Sequence, residues 1–208
     1  TIRFRVRRER FKRVIRGRRG SEIFSDPRGD VATRWPPKNA AEGGRGILHL
    51  HWISKFLDWP SFFASLPNDQ PVVWTLHDMN PASGGCHFAE GCHRFEIGCG
   101  RCPQLPAPAA DDDLSREFFD LKRKALEPIN LHVVAPSRWL LDRARSSPIL
   151  AGARSFSHIP YGLPLDECAA TDRSVARASL DLPEDAFVFA FGAADLTNRR
   201  KGGELLLE

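Results

Sequence analysis

Residues 74 to 105 read WTLHDMNPASGGCHFAEGCHRFEIGCGRCPQL, placing four of the chain's five cysteines within seventeen positions, shortly after a His-Asp pair. The spacing is Cys86-x5-Cys92-x6-Cys99-x2-Cys102. The closing CGRC is a two-residue knuckle that lets two thiolates share one tetrahedral ion, and four sulfurs at about 2.3 Å would close a structural zinc site. A stretch of nearly thirty residues between Asp78 and Leu105 with little apolar content needs such a staple, because long structureless loops are uncommon in compact domains.

Other readings of the same sulfurs stand beside it. Disulfides are the main rival, but the opening residues as they stand carry no export address, and a reducing cytosol keeps thiols free. A redox pair at Cys99 and Cys102 would leave Cys86 and Cys92 unexplained. His87 and His93 each follow a cysteine and could replace one as ligand.

The His77-Asp78 pair is a polar, titratable group able to donate hydrogen bonds or carry a proton, or else a histidine merely fixed by its neighbours. His49 and His51 face the same choice and are not read as catalysts. Near the end of the chain, TNRRKGGELLLE puts Arg199, Arg200 and Lys201 before an apolar helix, with Gly202 and Gly203 permitting close backbone approach. Basic side chains at a helix N-terminus form an anion site suited to a diphosphate.

These groups need a scaffold, and the apolar periodicity predicts one. Buried strands are expected at Ile47 to His51, Pro71 to His77, Leu131 to Ala135 and Ser155 to Ile159. Helices are expected over 53 to 65, over 115 to 126 with Ser115 as cap, and from Ser137 to about Ser146. Alternation of this kind implies right-handed crossovers and an α/β fold, a Rossmann-like parallel sheet with helices on both faces. Ligands of such sheets bind at the strand C-terminal ends, where His77 falls.

The domain boundaries follow from composition. Residues 1–46 form a basic arm and loop, 47–160 a Rossmann-like domain carrying the Cys-rich loop 78–105, and 161–173 a linker. Residues 174–208, with SVARASLDLPEDAFVFAFGA, begin a second domain of which only a helix, a strand and the start of the next helix are expected.

The formal charge is +4, but residues 1 to 20 hold ten Arg or Lys against Glu9 alone, so the arm is +9 and the remainder −5. Such an arm can bind nucleic acid or an anionic membrane surface. Phe4, Phe11 and Ile15 would share one side of a helix there. No run of about 18 apolar residues occurs, so no membrane span is expected.

Taken together, GILHLHWI, PVVWTLHDMNPASGGCHF, CGRCPQL, VVAPSRWL, SFSHIPYGL and NRRKGGELLLE resemble the family 4 glycosyltransferases in order and approximate spacing, over residues 47 to 208. The resemblance implies two facing Rossmann-like domains, an N-terminal one for the acceptor and a C-terminal one for a nucleotide-diphosphate sugar. It implies retaining transfer to a glycan or lipid-linked acceptor without a catalytic metal ion, in cell-surface polysaccharide synthesis. The setting would be cytoplasmic, with the arm touching the inner face of the plasma membrane. His77, followed by Asp78, matches the histidine that faces the donor sugar, and Arg200 and Lys201 fall on the basic motif that neutralises the diphosphate. Zinc on Cys86, Cys92, Cys99 and Cys102 would then shape the acceptor-side loop.

Three positions depart from the family's pattern. Ala193 follows Gly192 where an arginine is frequent, Asn80 stands where an aromatic residue is usual, and Tyr161 replaces an asparagine in the interdomain turn. The resemblance also implies that the first strand with its glycine-rich acceptor loop, and most of the C-terminal domain, are missing, so the chain alone is expected to transfer no sugar. A competing class is a zinc-knuckle nucleic-acid-binding module with a basic arm, against which the acidic balance beyond residue 20 counts. A third is a regulatory or degenerate glycosyltransferase-like protein.

Overall fold

The computed structural model describes residues 24–29, 33–34, 46–105, 110–194 and 199–206. The basic arm, residues 1 to 20, lies outside them, as does most of the loop that follows. The chain divides into two units, Thr1–Tyr161 and Gly162–Glu208.

The first unit is built on four parallel strands in the order β1-β2-β3-β4: β1 Leu48–Leu50, β2 Val72–Thr75, β3 Leu131–Ala135 and β4 Ser155–His158. Val72 sits beside Leu48 on one side and Leu131 on the other, and Val133 beside Phe156, so the sheet is in continuous register. The fold is Rossmann-like α/β. Period-two alternation sends Val72 and Trp74 into the core, while their neighbours Val73 and Thr75 are half-buried. On the same side as Thr75, His49 bonds its hydroxyl at 2.9 Å, and His132 meets Ser155 at 2.8 Å.

Helix α1, Trp59–Ala64, is shorter than the 53 to 65 expected. Lys55 takes a left-handed φ of 63°, which breaks any helix before Asp58. Asp58 then caps the helix by accepting from Ser61 N, and Pro60 fits the first turn, where its missing N–H costs nothing. Trp59 and Phe63 bury their rings against Trp74, with centroids 5.0 and 5.9 Å away. That aromatic cluster fixes α1 on the sheet.

Helix α2, Leu114–Leu126, starts one residue earlier than expected, with Asp113 rather than Ser115 as cap. The reason is reach: Asp113 Oδ1 accepts from Ser115 N and Oγ, at 2.9 and 2.6 Å, while Ser115 Oγ accepts from Gly100 N. Helix α3, Arg138–Arg145, has Ser137 as its cap and buries Leu140, Leu141 and Ala144.

Between β2 and α2 runs the Cys-rich loop, and a buried lysine fastens it. Lys122 of α2 is fully enclosed, 4.8 Å from the Trp59 ring, and donates to Asn80 O at 2.6 Å, Asn80 Oδ1 at 3.2 Å and Ser83 O at 3.1 Å. Ser147 adds a bond to Ala82 O at 2.7 Å from beyond α3. The segment 24–29 closes the loop's outer side: Phe24 bridges Cys86, and Ser25 N donates to Gly85 O.

In the second unit, helix α4, Arg173–Ser179, is capped by Asp172 and buries no residue. The strand expected within FVFAF does not form; Phe187 and Phe189 are exposed. A strand exists only by pairing its amide and carbonyl groups, and no partner strand is present among the described residues of this unit.

Gly84 marks the tightest approach of loop to helix, since a Cβ there would overlap the Ser115 carbonyl oxygen. Gly84→Ala should therefore destabilise the first unit by about 1–3 kcal/mol, the usual range for overpacking. Denaturant unfolding checks this, and an unchanged midpoint would contradict the packing.

Candidate functional site

The site begins where β1 and β2 end. Trp74, one residue before the end of β2, carries its indole to His51 O, one residue past the end of β1, donating at 2.7 Å, and so locks the two strand ends together. Past that lock the backbone brings two imidazoles together: His51 Nδ1 lies 3.0 Å from His77 Nε2. The other face of this pair is Tyr161, just after β4, whose hydroxyl stands 2.6 Å from His77 Nδ1.

Both His77 nitrogens are thus engaged while its ring is exposed. With Tyr161 donating to Nδ1, a neutral ring carries its proton on Nε2 and donates to His51. Partial desolvation pushes the His77 pKa below its usual range, and the neighbouring His51 pushes the same way; Asp78 opposes them. The imidazole is therefore biased towards its neutral form, able to accept or donate one hydrogen bond once a substrate displaces a partner.

Asp78 has a different setting. Its Oδ1 accepts from Asn80 N at 2.8 Å, and its Oδ2 from Trp52 Nε1 at 3.1 Å and His87 Nδ1 at 2.7 Å. His87 is buried and its Nε2 meets Ser25 Oγ at 2.7 Å. Asp78 therefore ties the strand end, the β1 loop and the Cys-rich loop together. His87, considered from sequence only as a metal ligand, holds that carboxylate in place.

All four cysteines of the cluster line one small cavity of about 20 Å³, beside Phe24, Phe95 and the N-terminus of α2. They are free thiols, as is the exposed Cys168. Burial pushes the Cys86 pKa up to about 11 and that of Cys99 up to about 12, and raises Cys102 as well. They are poor thiolate nucleophiles in this state. The knuckle is wound unusually: Gly98, Cys99, Gly100 and Arg101 all have positive φ, at 111°, 60°, 82° and 44°. Gly84 N donates to Cys99 Sγ at 3.3 Å. As placed, no three His, Cys, Asp or Glu among the described residues are gathered into an ion-holding group.

A larger cleft, about 230 Å³, opens beside the loop and is lined by Met79, Phe88, Glu90, His93, Trp139 and Arg143 among others. Trp139 is half-exposed near Phe88, ring centroids 6.1 Å apart. Arg143 lies over its ring and within 3.4 Å of Glu96 Oε1. Aromatic faces rimmed by charged hydrogen-bonding groups suit a sugar ring.

Arg200 and Lys201 lie in the second unit, exposed, in a single 3-10 turn, Arg199–Lys201. Sequence reasoning noticed Tyr161 only as a departure and did not find Lys122. The signal for Lys122 was its spacing, four residues after Phe118 and four before Leu126, on the apolar stripe of α2.

No protein-family model matches the chain, and no solved structure does. The chain is similar to a putative colanic acid biosynthesis glycosyl transferase, WcaC, of Escherichia coli (strain K12), with 28% identity over 107 residues. That similarity covers 48% of this chain and 26% of the relative, so the matched region spans about a quarter of that protein's length.

Proposed function

We propose that this chain contributes the acceptor-side domain of a glycosyltransferase, one that moves a sugar from a nucleotide-diphosphate donor to a glycan or lipid-linked acceptor in cell-surface polysaccharide synthesis. The observation that carries this reading is the His51, His77 and Tyr161 cluster at the C-terminal ends of parallel strands, where such sheets bind ligands. The similarity to a putative colanic acid glycosyl transferase supports the reaction class.

In this reading the enzyme is a retaining member of family 4. His77 meets the donor sugar, and its polar nitrogen stabilises charge that develops as the bond to the diphosphate breaks. Arg200 and Lys201 neutralise the leaving diphosphate, so no catalytic metal is required. Asp78 orients the loop from which His77 projects. The cleft at Trp139 takes one sugar of the acceptor.

The enzyme would work in the cytoplasm, with residues 1 to 20 against the anionic inner face of the plasma membrane. Among the described residues no helix is long and apolar enough to cross a membrane.

The test is transfer from labelled nucleotide sugars to lipid-linked glycan by the full-length protein, and absence of transfer with every donor class would reject the reading. His77→Ala should lower kcat roughly a hundredfold or more with the fold intact. An unchanged kcat removes His77 from the site. Trp139→Ala should raise KM for the acceptor about tenfold with little change in kcat, as loss of uniform binding does; a fall in kcat alone would place Trp139 elsewhere.

The His77 ring should titrate below the ordinary value of about 6.5. Because His51 disfavours a second positive charge beside it, His51→Asn should move that midpoint upward. Ring proton shifts followed by NMR across pH 4 to 9, an approximate working range, measure it. A midpoint that stays or falls would show that His51 does not act on His77.

A further inference from the structure

Lys122 poses a charge problem. Its amino group is fully buried, its three hydrogen-bond acceptors are neutral oxygens, and no ion pair among the described residues includes it. A buried charge without a counter-charge is strongly disfavoured. Burial pushes its pKa down to about 7; opposing that are Cys86 and Cys99, once they are thiolates, ahead of Asp78 and Asp26. Both are members of the four-sulfur cavity.

We propose that Cys86, Cys92, Cys99 and Cys102 bind one zinc ion as thiolates around that cavity, and that Lys122 is the buried counter-cation of the resulting centre. Each of four thiols gives its proton to solvent, and two positive charges then meet four negative ones, leaving a dianion. Lys122 reaches the loop at Ser83 O, and the next residue, Gly84, donates its N–H to Cys99 Sγ; a charge there supplies compensation that the neutral oxygens of Asn80 and Ser83 cannot.

The surroundings fit that ion. The cavity has room for about one atom-sized occupant, and Phe24, Ala89 and Phe95 give it apolar walls. Gly84 N already donates to one sulfur, the kind of bond that stabilises a ligating thiolate. Cys99 and Arg101 hold left-handed backbone, which non-glycine residues adopt only when the surroundings over-determine it. The sulfurs are not gathered at ligand separation as placed, so the proposed site requires them to turn inward about their Cα–Cβ bonds. Soft thiolates in a tetrahedral set select zinc over harder cations.

The consequence reaches the candidate site, because Cys86 directly precedes His87, which holds Asp78. The inference does not depend on the proposed transfer reaction, since metal content reads it directly.

The experiment uses the full chain, purified in reducing buffer supplied with zinc. Elemental analysis should find about one equivalent of zinc, and cobalt(II) exchanged into the protein should give the intense ligand-field bands of a tetrahedral thiolate site. Less than about half an equivalent, an iron chromophore in its place, or an intact Cys86 to Cys102 disulfide overturns the site. Lys122→Met should lose zinc to a chelator at least tenfold faster than wild type, or fail to fold with zinc, whereas Lys122→Arg, which keeps the charge, should hold it. Two variants that behave alike would show that charge at this position is not required and overturn the role of Lys122.

Discussion

The clasp of Lys122 on the turn after β2 is the constraint on which the rest of the first unit depends. A loop of this length cannot bury enough apolar surface to order itself, and its backbone carbonyls must find donors. Lys122 supplies three donors from the middle of α2 to Asn80 and Ser83, and Asn80 in turn bonds Ser54 Oγ and Gly85 O. A methionine of similar length could fill the space but would leave Ser83 O unpaired, at a cost of about 1–3 kcal/mol, while Asn80 O and Oδ1 would keep only Ser83 N and Ser54 Oγ. One side chain therefore connects the β1 loop, the β2 loop and α2.

From that clasp the remaining ties fall in sequence. The loop lies against the start of α2 through Gly84 and Ser115, Cys102 N and Asp113, and Arg116 and Gly98 O. It turns back so that Met79 N meets His87 O at 3.0 Å, which carries the His87 ring to Asp78. The geometry of the strand end is thus set by a helix some forty residues later in the chain. Arg28, paired with Asp26 and Glu117, seals the outer layer with its guanidinium over Phe118.

The sheet was legible in the sequence because its strands obey local rules. Leu131–Ala135 matched its expected bounds, and α3 followed its Ser137 cap closely, since periodicity and capping chemistry both reside within a few residues. What local rules missed was decided at a distance. Ser115 looked like a cap, but Asp113 takes that role and leaves Ser115 to accept from Gly100. The phenylalanines of FVFAF had strand chemistry without a strand to pair with. In the site, His77 was visible from its place after a strand, yet its partners His51 and Tyr161 are 26 and 84 residues away, separations that spacing cannot bridge.

The two members of the His-Asp pair differ in how firmly they are held, and that difference suits the work proposed for them. Asp78 is half-buried and receives three donors, two of them from residues themselves fixed by the fold, so moving it would strand Trp52, His87 and Asn80 at once. His77 is exposed, and both its partners, His51 and Tyr161, are exposed as well, so each bond can be exchanged for one to water or substrate at little net cost. A group that must meet a sugar needs partners it can release. A group that aims it needs partners it cannot, and adjacent positions at the end of one strand provide both.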